Sequence, residues 1–210
     1  MRASSTLDVM TTFLLIRHGM TDAVGQVMTG TSPGLHLNAL GVAQAATLPE
    51  RLREVRIDAV YASPLERTRE TAQPLADARG LTVQIEPRVL EIEYGEWTGR
   101  RYADMVGDPA WTLYNRVRGV AKPPAGESLL DIQQRTMAAM LELTERHPGQ
   151  VVAIVSHADT LRAILLYVMG MPVDFVMRLE ISPARISVLQ LGDGAPRVLQ
   201  VNGETVPPLE

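Results

Sequence analysis

The chain contains no cysteine. A disulfide framework, a zinc ribbon and a thiol nucleophile are therefore all excluded, which fits a reducing cytoplasm. No run approaches the roughly 18 consecutive apolar residues of a membrane-spanning helix. The segment Met1–Thr12 is polar and has no apolar signal core, so a cytoplasmic protein with no membrane partner is expected. Excess positive charge is also missing: the net charge is −4. A dedicated nucleic-acid binder is thus not expected, and an anionic substrate would have to be caught by locally clustered arginines. There is no internal repeat, linker or low-complexity stretch in the 210 residues, a length suited to a single domain.

What is present centres on Phe13–Thr21, FLLIRHGMT. Phe13-Leu14-Leu15-Ile16 is an unbroken apolar run and reads as a strand buried on both faces. It ends in Arg17-His18-Gly19, and open α/β sheets place ligands at such strand ends. Gly19 suggests close approach of some group to the backbone. The loop that follows holds Gly25 and Gly30, but Thr31 stands where a P-loop needs lysine, so a P-loop is rejected.

Asn38 is expected to cap a helix to about Val55, with Leu40, Ala43, Leu48 and Leu52 inward and a kink at Pro49. Asp58–Tyr61 reads as a strand. Ser63-Pro64-Leu65-Glu66 reads as a capping box opening a helix that stops at Gly80. Thr82–Ile85 is a third strand, and Val89–Gly99 an ordered loop. Residues 100–126 break into short helical pieces rich in Arg, Tyr and Trp. Ser128 and Asp131 cap a long amphipathic helix ending near His147-Pro148-Gly149. Val151–Val155 is a second continuous apolar strand, ends in Ser156-His157 and runs into a helix over Asp159–Val168. Pro172–Arg178 reads as a short helix, Arg185–Val201 as a hairpin, and the tail around Pro207-Pro208 as frayed. Strands alternating with helices predict a three-layer α/β/α sandwich with a mostly parallel sheet.

If the two apolar strands are parallel, His18 and His157 emerge at one edge, with Arg17 and Arg67 beside them. Two guanidiniums can fork onto phosphoryl oxygens, and the helix start at His157 adds free N–H groups.

Five ordered blocks carry a resemblance: Arg17-His18-Gly19 with Thr21; Ser63-Pro64-Leu65-Glu66-Arg67-Thr68; Glu91 four residues before Gly95; Gly126-Glu127-Ser128; and Ser156-His157. Together they resemble the histidine phosphatase superfamily, the group of phosphoglycerate mutases and related phosphatases, over nearly the whole chain. The resemblance implies a phosphoglycerate mutase-like fold in a single domain, residues 1–210, with a lid-like helical insertion at about 97–126. It implies a metal-independent phosphomonoesterase, a histidine acid phosphatase-type hydrolase without cofactor, acting on small phosphorylated metabolites. His18 would be the nucleophile that becomes phosphohistidine. Arg17, Arg67 and His157 would hold the phosphoryl group, Glu91 would be the general acid and base, and Thr21 and Ala158 would complete the binding set. Alternatives are a phosphoglycerate mutase and a catalytically weak regulatory protein that binds phosphate esters.

Two positions depart from the family pattern. Val24 stands where an asparagine is usual, six residues after the nucleophile, and Ala158 replaces the glycine after the second histidine. Asp22 has no evident role. Thr21 is equally suited to capping its loop, Glu93 and Glu96 compete with Glu91, and Trp111–Arg118 reads equally as a packed helix pair or as a substrate-selecting lid. His36, His147, Glu127 and Ser128 are expected to be structural. The sequence leaves substrate and oligomeric state open, a homodimer included.

Overall fold

The computed structural model describes residues 9–209. Six strands form one sheet in the order β3-β2-β4-β1-β5-β6. The four strands β3 (Val83–Ile85), β2 (Ala59–Ala62), β4 (Val151–Ser156) and β1 (Met10–Arg17) are mutually parallel. β5 (Ile186–Gly192) is antiparallel to β1, and β6 (Arg197–Gly203) is antiparallel to β5, giving the expected terminal hairpin.

The central strands are apolar throughout because both faces are covered. Along β1, Phe13 and Leu15 face a core built with α4 (Leu129–Arg146) and α5 (Ala158–Val168). Leu14 and Ile16 face the opposite core, built with α1 (Ala39–Arg51) and α2 (Glu66–Arg79). All four side chains are fully buried, and each contributes roughly 1.5–3 kcal/mol through removal from water. A third cluster, around Met28, Ile92, Trp97, Tyr114 and Leu166, packs the middle of the chain, including the short α3 (Pro109–Arg116), against α4 and α5.

Several local expectations change. α1 buries Gly41, Ala45 and Leu48 rather than Leu40 and Ala43. It ends at Arg51, two residues after Pro49, whose missing N–H removes one intrahelical hydrogen bond from the last turn. Gly41 replaces a larger residue because α1 crosses the loop after β1 backbone to backbone. A Cβ at Gly41 would lie 2.1 Å from the Met20 carbonyl oxygen, and one at Gly19 would lie 2.7 Å from the Gly41 oxygen. The close approach that Gly19 permits is thus to α1.

The capping box at Ser63 does not form: α2 starts at Glu66 with Leu65 as its cap and no side-chain cap bond. The α2 stop at Gly80, in the left-handed conformation, is as expected. At α4 the Ser128–Asp131 capping box is present. The tail is not frayed up to residue 209, since Val206 and Leu209 pack on the second core. Pro172–Arg178 becomes a 3-10 turn over Val173–Arg178. No helix among the described residues is long and apolar enough to cross a membrane.

Candidate active site

The parallel pairing of β1 with β4 sets Arg17 opposite Ser156. The next residues on the two strands, His18 and His157, therefore leave the sheet side by side. Their rings lie 5.3 Å apart, inclined at 62°. β2, on the other side of β4, delivers Ser63 and then α2 with Arg67 to the same edge. A cavity of about 260 Å³ opens there. All seven residues expected at the site line it: Arg17, His18, Thr21, Arg67, Glu91, His157 and Ala158.

His18 is 6% exposed. Its Nδ1 lies 2.7 Å from the Gly19 carbonyl oxygen. A carbonyl only accepts, so Nδ1 carries the proton and Nε2 keeps its lone pair. Burial, and then the charges of Arg17 and Arg67, lower the pKa of His18 to about 3. The ring is therefore neutral across the physiological range.

Arg17 and Arg67 are held by backbone carbonyls, not carboxylates. Arg17 Nη1 donates to Ile181 O at 2.6 Å, while its buried Nε has no partner among the described residues. Arg67 donates through Nη2 to Gly30 O at 2.7 Å and through Nη1 to Ser32 O at 3.2 Å. Carbonyls fix the two forks in place without neutralising them, which leaves two full positive charges facing the cavity.

His157 is fully buried, and burial, followed by the neighbouring His18 and arginines, pushes its pKa down. Its Nε2 lies 2.8 Å from Ser63 Oγ. Its Nδ1 is buried with no partner among the described residues. With Ser63 donating to Nε2, Nδ1–H remains to point at an acceptor.

Glu91 comes from the loop after β3, and its carboxylate sits at the start of α5. Thr160 Oγ1 donates to Oε1 at 3.1 Å, and the backbone N–H groups of Thr160 and Asp159 approach at 3.3 and 3.4 Å. Burial and then the Asp159 charge raise its pKa, outweighing these bonds and Arg67. Its two competitors are elsewhere: Glu93 accepts from Thr31 Oγ1 at 2.5 Å and from Gly95 N at 3.0 Å, and Glu96 is exposed.

Asp22 now has a role. Asn38 caps α1 through Oδ1, which accepts from Gly41 N, and its Nδ2 donates to Asp22 at 2.9 Å. His36 is exposed and paired with Glu70, and His147 caps α4 and lies 2.9 Å from the Tyr61 hydroxyl, so neither reaches the cavity. Glu127 is bound to Arg135. Val24 lines the cavity wall where a polar group is usual.

Several lining residues escaped the sequence reading, among them Thr29, Tyr94, Asp159 and Arg162. The last two sit one helical turn apart on α5, immediately after His157, a placement that could have pointed to them. Of the residues from 97 to 126, only Tyr102 lines the cavity. Trp111 and Tyr114 instead stack on each other and pack edge-on to Trp97.

The chain is similar to several proteins of known class. The family model of the histidine phosphatase superfamily (branch 1) matches residues 13–204. An adenosylcobalamin/alpha-ribazole phosphatase of Escherichia coli is 30% identical over 180 residues, 84% of this chain and 88% of that protein. A Yersinia pestis protein named "Probable phosphoglycerate mutase" is 30% identical over 178 residues, 82% of this chain and 81% of its own length. The native structure of a mycobacterial glucosyl-3-phosphoglycerate phosphatase superposes with a TM-score of 0.83 at 26% identity, covering 92% of this chain and 99% of that one. The chain belongs to the histidine phosphatase superfamily.

Proposed function

We propose that this chain is a phosphomonoesterase that hydrolyses small phosphorylated metabolites through a phosphohistidine at His18. One observation carries the reading: a neutral, buried His18 presents a free Nε2 to a cavity where two guanidiniums are anchored only by carbonyls. The phosphatases among its relatives support the same class.

In the first half-reaction, His18 Nε2 attacks phosphorus. The P–N bond forms as the ester P–O bond breaks, and the leaving alkoxide takes the Glu91 proton. Arg17, Arg67 and the His157 Nδ1–H carry the charge that builds on the phosphoryl oxygens. In the second, Glu91 takes a proton from water, whose oxygen attacks phosphorus. The P–N bond breaks, His18 is restored, and inorganic phosphate leaves with Glu91 protonated again. Thr21 and the Ala158 N–H complete the phosphoryl cradle. The segment 97–126 acts as a fixed wall anchored by its own aromatic cluster, with Tyr102 as its contact to the leaving group.

The test is phosphate release from a panel of phosphomonoesters in EDTA, comparing the native protein with His18→Ala. Release that vanishes in the variant supports the reading, as does phosphate trapped on His18 in a rapid acid quench. Isomerisation of 3-phosphoglycerate without net release would replace it with a mutase. Tight binding of esters without turnover would replace it with a sensor.

A further inference from the structure

Asp159, Arg162 and Arg118 form a group of which the phosphoryl chemistry uses only the Asp159 charge, through its effect on Glu91. Asp159 lies between the two guanidiniums. Its Oδ1 accepts from Arg162 Nη1 at 2.9 Å, and its Oδ2 accepts from Arg118 Nη1 and from the Tyr94 hydroxyl, both at 3.4 Å. The three side chains are 9%, 12% and 7% exposed, in the order Asp159, Arg162, Arg118. One carboxylate thus serves two guanidiniums in a wall that excludes most water. Among the described residues one positive charge is left without a buried counter-charge, an arrangement that is costly unless a ligand completes it.

The two arginines are not equivalent. Arg118 belongs to the wall: Nε and Nη2 both donate to Asn115 Oδ1, at 3.2 and 2.6 Å, and its guanidinium lies 4.9 Å from the Tyr114 ring centre. Arg162 lines the cavity. Its Nε donates to Leu179 O at 2.8 Å, and its Nη2 makes no hydrogen bond among the described residues. Glu180, next to Leu179, is exposed and accepts from the Ser182 hydroxyl at 3.2 Å, so water screens its charge.

The charges can then be counted against a substrate. Arg17 and Arg67 match the two charges of a phosphate monoester. Asp159 offsets one of its two guanidiniums. Glu91 is uncharged when it acts as the acid. One positive charge remains, and of the two arginines it is Arg162 that lines the cavity, with Nη2 unbonded among the described residues and a planar fork suited to a carboxylate. An ammonium group is disfavoured at Asp159, which already has two cations.

We propose that Arg162 is a specificity-determining contact for a carboxylate on the substrate's leaving group, with Asp159 and Arg118 as its positioning pair. The preferred substrates are then phosphate esters of small hydroxy acids. This rests on the phosphomonoesterase reading above.

The experiment compares kcat/KM for three esters of matched size: phosphoglycolate, 2-hydroxyethyl phosphate and phosphoethanolamine. It uses the native protein, Arg162→Gln and Arg162→Lys, with p-nitrophenyl phosphate as a reference and thermal melting as a check on folding. The native protein should favour phosphoglycolate about tenfold or more over 2-hydroxyethyl phosphate. Arg162→Gln should lower that ratio by roughly ten- to a hundredfold, mainly through KM for the carboxylate ester, and Arg162→Lys should restore part of it. Equal activity on the three esters overturns the proposal, as does preference for phosphoethanolamine. So does a loss in Arg162→Gln that is the same for every ester, since that is what a purely structural arginine would give. Turnover of p-nitrophenyl phosphate with none of the three esters overturns this proposal alone. Absence of all turnover, p-nitrophenyl phosphate included, overturns the phosphomonoesterase reading and this one with it.

Discussion

The Ser63 hydroxyl lies 2.8 Å from Nε2 of His157, both side chains being fully buried. The pairing fixes which nitrogen of His157 faces the phosphoryl group. Removing the hydroxyl leaves Nε2 without its partner and frees the ring to change tautomer. Ser63→Ala is expected to lower kcat/KM by about ten- to a hundredfold, because a buried polar group left unpaired costs roughly 1–3 kcal/mol. Steady-state kinetics with a melting curve checks this, and a fall in melting temperature with unchanged kinetics would remove Ser63 from the site.

Glu91 must be protonated to act as the acid, and burial followed by Asp159 holds its pKa above the usual carboxylate range. Hydrolysis of an alkyl phosphate should therefore persist above the pH at which an ordinary carboxylate ionises, then fall as pH rises through the raised pKa. Glu91→Gln should abolish that descending limb. It should slow alkyl esters by about a hundredfold or more relative to p-nitrophenyl phosphate, whose leaving group needs no proton. Equal slowing of both substrates would assign the acid role to another group.

His18 also couples pH to stability. Its pKa in the folded protein is about 3, below the ordinary value of 6.5. Between these values the unfolded chain binds more protons than the folded one, so stability falls as pH falls through that window. At pH 4.5 the loss from His18 amounts to roughly 2–3 kcal/mol relative to pH 7.5. Urea midpoints at the two pH values should show it, and His18→Gln should show a smaller drop. An identical drop in both proteins would mean that His18 is not buried neutral.

Gly41 lies inside α1, where replacing glycine by alanine ordinarily stabilises by about 1 kcal/mol. Here the added Cβ would meet the Met20 carbonyl oxygen at 2.1 Å. Gly41→Ala should instead destabilise by about 2–4 kcal/mol and reduce activity, since Met20 lies two residues beyond His18. Differential scanning calorimetry decides the sign.

The sequence by itself determined the sheet and the identity of the chemical groups. Phe13–Ile16 and Val151–Val155 are apolar at every position, which only a strand covered on both faces requires, and each ends in a histidine. The order of the motifs was enough to name the family and to bring seven residues to one cavity. Local capping was legible where the partner is close in sequence: buried Ser128 pairs with Asp131 three residues on, and the exposed Gly80 N–H bonds to the last carbonyls of its own helix.

Tertiary structure decided the cases in which a distant group competes for the same side chain. Ser63 has the sequence of a helix cap, but its hydroxyl is turned to Nε2 of His157 at 2.8 Å, and α2 starts three residues later, at Glu66. α1 turned a different face inward because Gly19 and Gly41 let its backbone touch the loop after β1. Asp22 looked misplaced beside an anion site until Asn38, 16 residues on, came to lie against it. Asp159 and Arg162 carry no motif of their own in the sequence. Their significance comes from Arg118, which reaches Asp159 from 41 residues away. Charge balance in a buried wall is a sum over elements far apart in the chain, so no local pattern in the sequence can state it.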